Sequence, residues 1–138
     1  MAKFNVVGFD DVEKSLLRME KAAVEAVPRM LKAGAAVLVK AQQDEIERMD
    51  IVDKRDMKNS IKAGKIKGNA TEQYVEVAPS GTDRKGVRNA EKAFVAQYGR
   101  SYGKTAKPAR PWMTVANEKS ADKVHEAMRK EWEAAQNG

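Results

Sequence analysis

The sequence predicts an α+β fold: a long N-terminal helical segment that is kinked or split, a small antiparallel β-sheet and a C-terminal helix. Apolar residues recur at helical spacing near both ends of the chain. Between them, two short segments that alternate apolar and polar residues flank a Gly-Asn pair, which is typical of a hairpin. The 138 residues are 33% charged and 42% hydrophobic, a composition that fits one folded domain spanning residues 1–138.

The N-terminal helical segment is predicted from a stripe of apolar or small residues at steps of three or four. Asp10 is the expected N-cap, with Glu13 completing a capping box, and residues 3–7 before it fit a strand or extended arm. Pro28 inside a helix would cost about 3 kcal/mol. Because the stripe keeps its phase across Pro28, we expect a kinked helix or two nearly continuous helices ending near Met49. The stripe comprises Val12, Leu16, Met19, Ala23, Val27, Met30, Gly34, Leu38 and Ala41.

The middle of the chain predicts a β-hairpin. Residues 60–67 fit a weak first strand and residues 73–78 its partner, with Gly68 and Asn69 at the turn between them. Residues 90–98 fit a short helix or a strand, and their pattern does not decide between the two. Loops are predicted near residues 50–59, 80–89 and 99–109.

The C-terminal helix is predicted to begin between Thr114 and Ser120. Trp132 is the largest residue of its apolar stripe and is therefore the expected anchor of this helix on the core. The stripe comprises Ala121, Val124, Met128, Trp132 and Ala135.

The sequence offers little for catalysis, for a metal or for a cofactor. It has no cysteine and a single histidine, His125, so it lacks the residues of a common catalytic triad or a zinc site. The acidic residues between 44 and 50 are interpreted as a solvated helix face. Residues 103–105 read Gly-Lys-Thr, like the end of a phosphate-binding loop, but the first glycine of that motif would fall on Tyr98. We expect no enzyme, no metal and no cofactor.

The net charge of +6 favours contact with polyanions or with acidic protein surfaces. Acidic residues are interleaved through both helical regions, however, so a general solubility charge is the alternative interpretation. Tyr98 and Tyr102 lie among basic residues, as in proteins that stack single-stranded bases. No apolar run approaches the length of a membrane span. The candidate basic contacts are Lys54, Arg55, Lys58, Arg84, Lys85 and Arg88.

Two segments near the C-terminal end form the most informative motif. Residues 93–99 read Ala-Phe-Val-Ala-Gln-Tyr-Gly, a basic loop follows, and residues 109–113 read Ala-Arg-Pro-Trp-Met. Pro111 makes the preceding backbone extended. Trp112 fits either a core position or an interface anchor, whereas Arg110 fits an interface better because a buried arginine needs a partner.

This order of segments resembles the tail-completion (head-to-tail joining) proteins of long-tailed bacteriophages. These proteins carry an aromatic-glycine segment, a variable loop, the pattern Ala-Arg-Pro-aromatic-Met/Leu and a final helix. The likeness extends to residues 8–12, where Gly-Phe-Asp-Asp-Val opens the first helix. It is weaker at residues 56–61, because Asp-Lys-Arg at residues 53–55 replaces the Thr-Gly that is usual in the family.

The resemblance implies a non-enzymatic virion protein that completes the tail and joins it to the DNA-filled head. It implies a homo-oligomeric ring, commonly of six subunits, around the DNA channel, and synthesis in the cytoplasm of the bacterial host of a phage or prophage. The expected partners are head connector or adaptor proteins and the tail tube or terminator protein, with non-specific DNA contact and no membrane. The alternative is a small basic nucleic-acid-binding protein. Candidate assembly contacts are Tyr98, Arg100, Tyr102, Lys104, Arg110 and Trp112.

Overall fold

The computed structural model describes residues 9–49, 51, 54–69, 72–100 and 108–137. Its element order confirms the α+β class, with a long helix at each end and a small β-structure between them. The elements are α1 (Phe9–Arg48), α2 (Lys54–Asn59), β1 (Ile61–Ala63), β2 (Lys67–Gly68), β3 (Gln73–Tyr74), β4 (Val77–Pro79), α3 (Asn89–Tyr98) and α4 (Trp112–Asn137).

α1 is one helix of 40 residues with Pro28 inside it. At a rise of about 1.5 Å per residue it is about 60 Å long. The segment is therefore continuous rather than split into two helices. The predicted N-cap at Asp10 is wrong, because the helix already includes Phe9 and Asp10 is its second residue. The arm predicted at residues 3–7 lies outside the described residues.

α4 packs along α1 in the antiparallel direction. The Gln42 side chain of α1 donates to Asn117 Oδ1 at 3.1 Å, near the start of α4. Farther along, Gly34 of α1 lies against Val124 and Met128. A Cβ atom on Gly34 would lie 3.0 Å from Met128 Cγ, so the missing side chain lets the two helices approach closely. Continuing this register brings the last turn of α4 beside residues near position 22 of α1.

The predicted hairpin is confirmed, but each of its strands is interrupted. β1 pairs with β4 from the Ile61–Pro79 partners to the Ala63–Val77 partners, and β2 pairs with β3 in the same antiparallel sense. Gly68 closes the hairpin at a φ of 112°, in the region that favours glycine. A Cβ atom there would collide with the Glu72 carbonyl oxygen, so the turn has room only for glycine.

The hydrophobic core lies where the C-terminal end of α1 meets the hairpin, α3 and the start of α4. Trp112 is fully buried, whereas Trp132 is only half-buried. The prediction of Trp132 as the anchor is therefore wrong, and Trp112 has that role because it sits where α1, α2, the hairpin and α3 converge on the start of α4. The buried cluster is Ile46, Ile51, Met57, Ile61, Ala93, Ala96 and Trp112.

The structure changes two predictions and settles one open assignment. The loop predicted at residues 50–59 contains the short helix α2, which buries Met57 in the core. The undecided segment at residues 90–98 is a helix, α3. The last helix begins at Trp112, before the predicted start between Thr114 and Ser120.

Candidate assembly interface

The two segments of the C-terminal motif pack against each other. The Arg110 backbone N–H donates to the Ala96 carbonyl at 2.7 Å, and the indole N–H of Trp112 donates to the Ala93 carbonyl at 3.2 Å. Residues 110–112 thus lie against the turns of α3 that contain Ala93 and Ala96. The motif holds α3 against the start of α4.

Gln97 completes this junction and was not singled out from the sequence. Its Oε1 accepts the Met113 backbone N–H at 2.9 Å, and its Nε2 donates to Thr114 Oγ1 at 2.6 Å. The first N–H groups of a helix have no partner within it. Gln97, which is largely buried, therefore caps α4 from a neighbouring helix. In the sequence, Gln97 stands out as a polar residue within an otherwise apolar segment, and that signal could have pointed to its role.

Trp112 and Arg110 have different environments. Trp112 has no exposed surface, so the core interpretation is correct and the folded chain offers no Trp112 surface to another molecule. Arg110 is half-buried, and its Nη1 donates to the Met49 carbonyl at 3.3 Å, just beyond the end of α1. A cation near a helix C-terminus is favourable there. An assembly role for Arg110 stays a prediction.

Two aromatic residues of α3 remain on the surface. Phe94 is 62% exposed and Tyr98 is 66% exposed, and their ring centroids lie 4.8 Å apart at an angle of 51°. Residues four apart lie on one face of a helix, so the two rings form a single aromatic knob. Tyr98 was a sequence candidate and Phe94 was not. Arg100 follows Tyr98 by two residues and is half-buried, while Tyr102 and Lys104 lie outside the described residues.

Two segments carry the candidate basic contacts: residues 54–58, which belong to α2, and the loop of residues 80–88 after β4, which we call the second basic loop. The structure brings these segments together and partly neutralises them. Arg84 Nε lies 3.5 Å from Asp56 Oδ2, which joins the loop after β4 to α2. Lys58 Nζ lies 2.9 Å from Glu47 Oε1. Lys54 and Arg55 belong to α2, but their side chains lie outside the described part of the chain.

Asp83 fixes the shape of the second basic loop. Its carboxylate accepts the backbone N–H groups of Lys85 and Val87 at 2.8 and 2.9 Å and the Lys92 ammonium at 2.8 Å. The hydrogen bond from Lys92, followed by that from Val87, lowers the pKa of Asp83 from 3.8 to about 2. The fixed loop leaves Lys85 and Arg88 exposed.

Glu45 is buried, although the acidic residues between 44 and 50 were predicted to form a solvated helix face. It is buried between α1 and α4, where Lys119 Nζ and Arg48 Nε each lie 2.8 Å from one of its oxygens. Burial favours the protonated form, but the hydrogen bonds from Lys119 and Arg48 outweigh it and hold the pKa of Glu45 below its ordinary value. Its neighbours Asp44 and Glu47 are exposed, as expected. Glu45 is therefore a structural bridge between the two long helices.

The described residues hold no group of histidine, cysteine or carboxylate side chains arranged to bind a metal ion. Among the helices of the described ranges, none carries an apolar stretch long enough to cross a bilayer.

The opposite end of the molecule exposes part of the apolar stripe from which α1 was predicted. We call residues 13–25 of α1 the distal segment. Toward the other end of α1 the stripe packs on α4, but in the distal segment its members Leu16 and Met19 are 61% and 50% exposed. α4 ends near this point, so these side chains have lost the helix that covers the stripe elsewhere. The exposed large apolar residues of the segment are Leu16, Leu17, Met19 and Val24.

Comparison with known proteins identifies a family. A sequence model of the family described as "Bacteriophage HK97-gp10, putative tail-component" matches residues 10–98, well over half of the chain. The match covers most of α1, the hairpin and α3, and it ends before the residues that open α4. No curated protein and no solved structure matches the chain significantly. The resemblance to phage tail proteins is thus confirmed, and the chain belongs to the HK97-gp10-like family of bacteriophage tail components.

Proposed function

We propose that this protein is a non-enzymatic virion component that completes the tail and joins it to the DNA-filled head. One observation carries the proposal beyond the family: exposed apolar side chains lie at both ends of an elongated molecule. They are the knob of Phe94 and Tyr98 at one end and the distal segment at the other. Exposed apolar patches mark interaction sites, as expected of an assembly part.

The proposed form in the virion is a homo-oligomeric ring, of six subunits in the common arrangement, around the DNA channel. Rings arise when one surface of a subunit binds a different surface of the next and the rotation closes. A molecule with distinct apolar surfaces at its two ends supports contacts of this kind. The proposed neighbours are a head connector or adaptor protein and the tail tube or terminator protein.

The second basic loop is the proposed contact for an acidic partner surface. Asp83 holds the loop in shape, and Lys85 and Arg88 extend from it into solvent. Charge complementarity of this kind mainly accelerates association and sets orientation. The same positive charges would also allow non-specific contact with the phosphates of the DNA that passes through the ring.

Deletion of the gene from its phage or prophage tests the proposal. After induction, electron microscopy of the lysate should show DNA-filled heads and finished tails that are separate. Complementation with the unaltered gene should restore joined particles, and the protein should then be found in purified virions by mass spectrometry. Normal infectious particles from the deletion strain would reject the joining role.

A matched pair of charge reversals tests the basic loop. The double variant Lys85→Glu/Arg88→Glu should complement the deletion poorly, whereas Lys123→Glu/Lys130→Glu on the exposed face of α4 should complement normally. If both complement equally, the loop is not a contact.

The alternative function, nucleic-acid binding, is tested on the purified protein. A DNA affinity that falls steeply and linearly on logarithmic axes as salt increases would favour that alternative, because phosphate contacts release counterions. Weak binding together with a joining defect in the deletion strain would favour the structural role.

A further inference from the structure

An open groove lies where the distal segment passes the end of α4. Its volume is about 520 Å³, within the range of sites that hold small organic groups. Met19, Ala22 and Ala135 supply apolar surface, and Arg18 and Lys21 supply positive charge. The remaining lining residues are Ser15, Glu25 and Gln136.

The aromatic knob at the other end has the complementary properties. Phe94 and Tyr98 are mostly exposed and already in contact with each other, so little side-chain freedom remains to be lost on binding. Glu91 precedes Phe94 by three residues on the same helix and is also exposed, which adds a negative charge to this face. The knob therefore exposes two aromatic rings beside one negative charge, whereas the groove is concave, partly apolar and net positive, because Arg18 and Lys21 outnumber Glu25.

Knob and groove cannot meet within one chain. The knob is tied to the C-terminal end of α1, because Arg110 bonds both the Ala96 carbonyl of α3 and the Met49 carbonyl. The groove lies near Met19 on the same helix. At about 1.5 Å per residue, the 30 residues between Met19 and Met49 separate the two surfaces by about 45 Å.

We propose that the knob of one copy docks into the groove of the next copy. Phe94 and Tyr98 would cover the apolar surface around Met19, and Arg18 would face both an aromatic ring and Glu91. Because the two surfaces differ, the contact is head-to-tail, and repeated copies form a ring or an open filament. This inference rests on the proposed structural role in that it supplies the contact between neighbouring subunits.

The absence of cysteine from the sequence allows a direct test by site-specific cross-linking. Ser15→Cys places a thiol at the groove, and Ala90→Cys places one on exposed α3 without removing the knob. A mixture of the two variants, treated with a short bis-maleimide linker, should give a cross-linked dimer that neither variant gives alone. A single chain carrying both substitutions should give a ladder of oligomers.

A matched pair of aromatic substitutions shows whether the knob causes the contact. Adding Phe94→Ala and Tyr98→Ala to the Ala90→Cys variant should lower the cross-linked fraction roughly tenfold or more, as for an interface anchor. Adding Tyr74→Ala, which removes an exposed tyrosine on β3, should leave it unchanged. Linking of Ser15→Cys to itself, or equal linking with and without the knob, would overturn the proposal.

The cross-linking is done at high concentration in solution and in virions from the complemented deletion strain. A mixed cross-link in joined virions that depends on the knob supports the contact, whether or not it also forms in solution. Joined virions that contain the protein but give no such cross-link would reject this interface while leaving the joining role intact. Normal virions from the deletion strain would reject the joining role, and the cross-link in solution would then decide the interface alone.

Discussion

The two ends of α1 carry the same kind of sequence pattern but have different surroundings. Toward its C-terminal end, the stripe packs on α4, with Gly34 against Met128, and Ile46 on another face enters the core. In the distal segment, the continuation of the stripe through Leu16 and Met19 is at least half exposed. An apolar stripe therefore predicts a helix with a face to cover, but it does not indicate whether the same chain covers that face.

The largest effect is expected at the core end, for Trp112→Ala. Removing a fully buried tryptophan leaves a cavity among several elements, so the free energy of unfolding should fall by about 3–5 kcal/mol. Trp132→Ala is the matched control, because Trp132 is half-buried on the same helix and should cost clearly less. Urea unfolding followed by circular dichroism measures both. If both substitutions lower the free energy of unfolding equally, Trp112 is not the centre of the hydrophobic core.

A smaller loss is expected when the cap of α4 is removed. Gln97→Ala leaves the Met113 N–H without its acceptor, which should cost about 1–3 kcal/mol. Gln97→Glu keeps an acceptor oxygen and should recover part of the loss. Gln73→Ala, on the exposed strand β3, is the control and should change the unfolding free energy little. If Gln97→Ala and Gln73→Ala behave alike, the cap does not stabilise the junction.

Lowering the pH is expected to loosen the second basic loop, which is a more local effect than removal of the α4 cap. The pKa of Asp83 is lowered from 3.8 to about 2 in the folded chain, so its stabilisation is complete above about pH 4 and is lost as the pH falls through about 2. The protection of the Val87 amide, meaning its hydrogen-exchange rate relative to the intrinsic rate at the same pH, should therefore fall across that interval. Asp83→Asn should exchange faster already at neutral pH, because the bond to Lys92 loses its charge. Asp122→Asn, an exposed substitution on α4, should leave the profile unchanged.

The smallest effect on stability is expected in the distal segment. Leu16→Gln and Leu17→Gln should each change the unfolding free energy by no more than about 0.5 kcal/mol, because both side chains are already mostly exposed. A loss comparable to that of Trp112→Ala would show that this segment is covered within the chain, and the contrast between the two ends of α1 would disappear.

Sequence reasoning succeeded where the signal was local. The alternation around Gly68 and Asn69 gave the hairpin, and helical spacing gave α1 and α4. It failed where distant residues decide the outcome. Trp132 was expected to anchor the last helix because it lies within a stripe, and Trp112 was left between core and interface. Trp112 lies at a helix start and is buried by residues far from it along the chain.

The same contrast between local signals and long-range contacts applies to the candidate site. The sequence indicated that the Arg-Pro-Trp-Met segment is important, but only the structure shows that this segment bonds to Ala93, Ala96 and Gln97. Phe94 was overlooked beside Tyr98, because the sequence did not decide between a helix and a strand there. In a helix, residues four apart such as Phe94 and Tyr98 lie on one face. Whether that face is exposed or buried depends on what packs against it.

Local signals in the sequence were sufficient for the α+β class, the long amphipathic helices, the hairpin turn and the resemblance to phage tail proteins, because spacing and short motifs encode these properties locally. Only the folded chain shows that Trp112 is core, that Glu45 is a buried bridge and that Phe94 and Tyr98 form an exposed knob. It also shows where α4 stops covering α1. Burial depends on contacts between residues far apart in the chain, and periodicity within one helix contains no information about its neighbour.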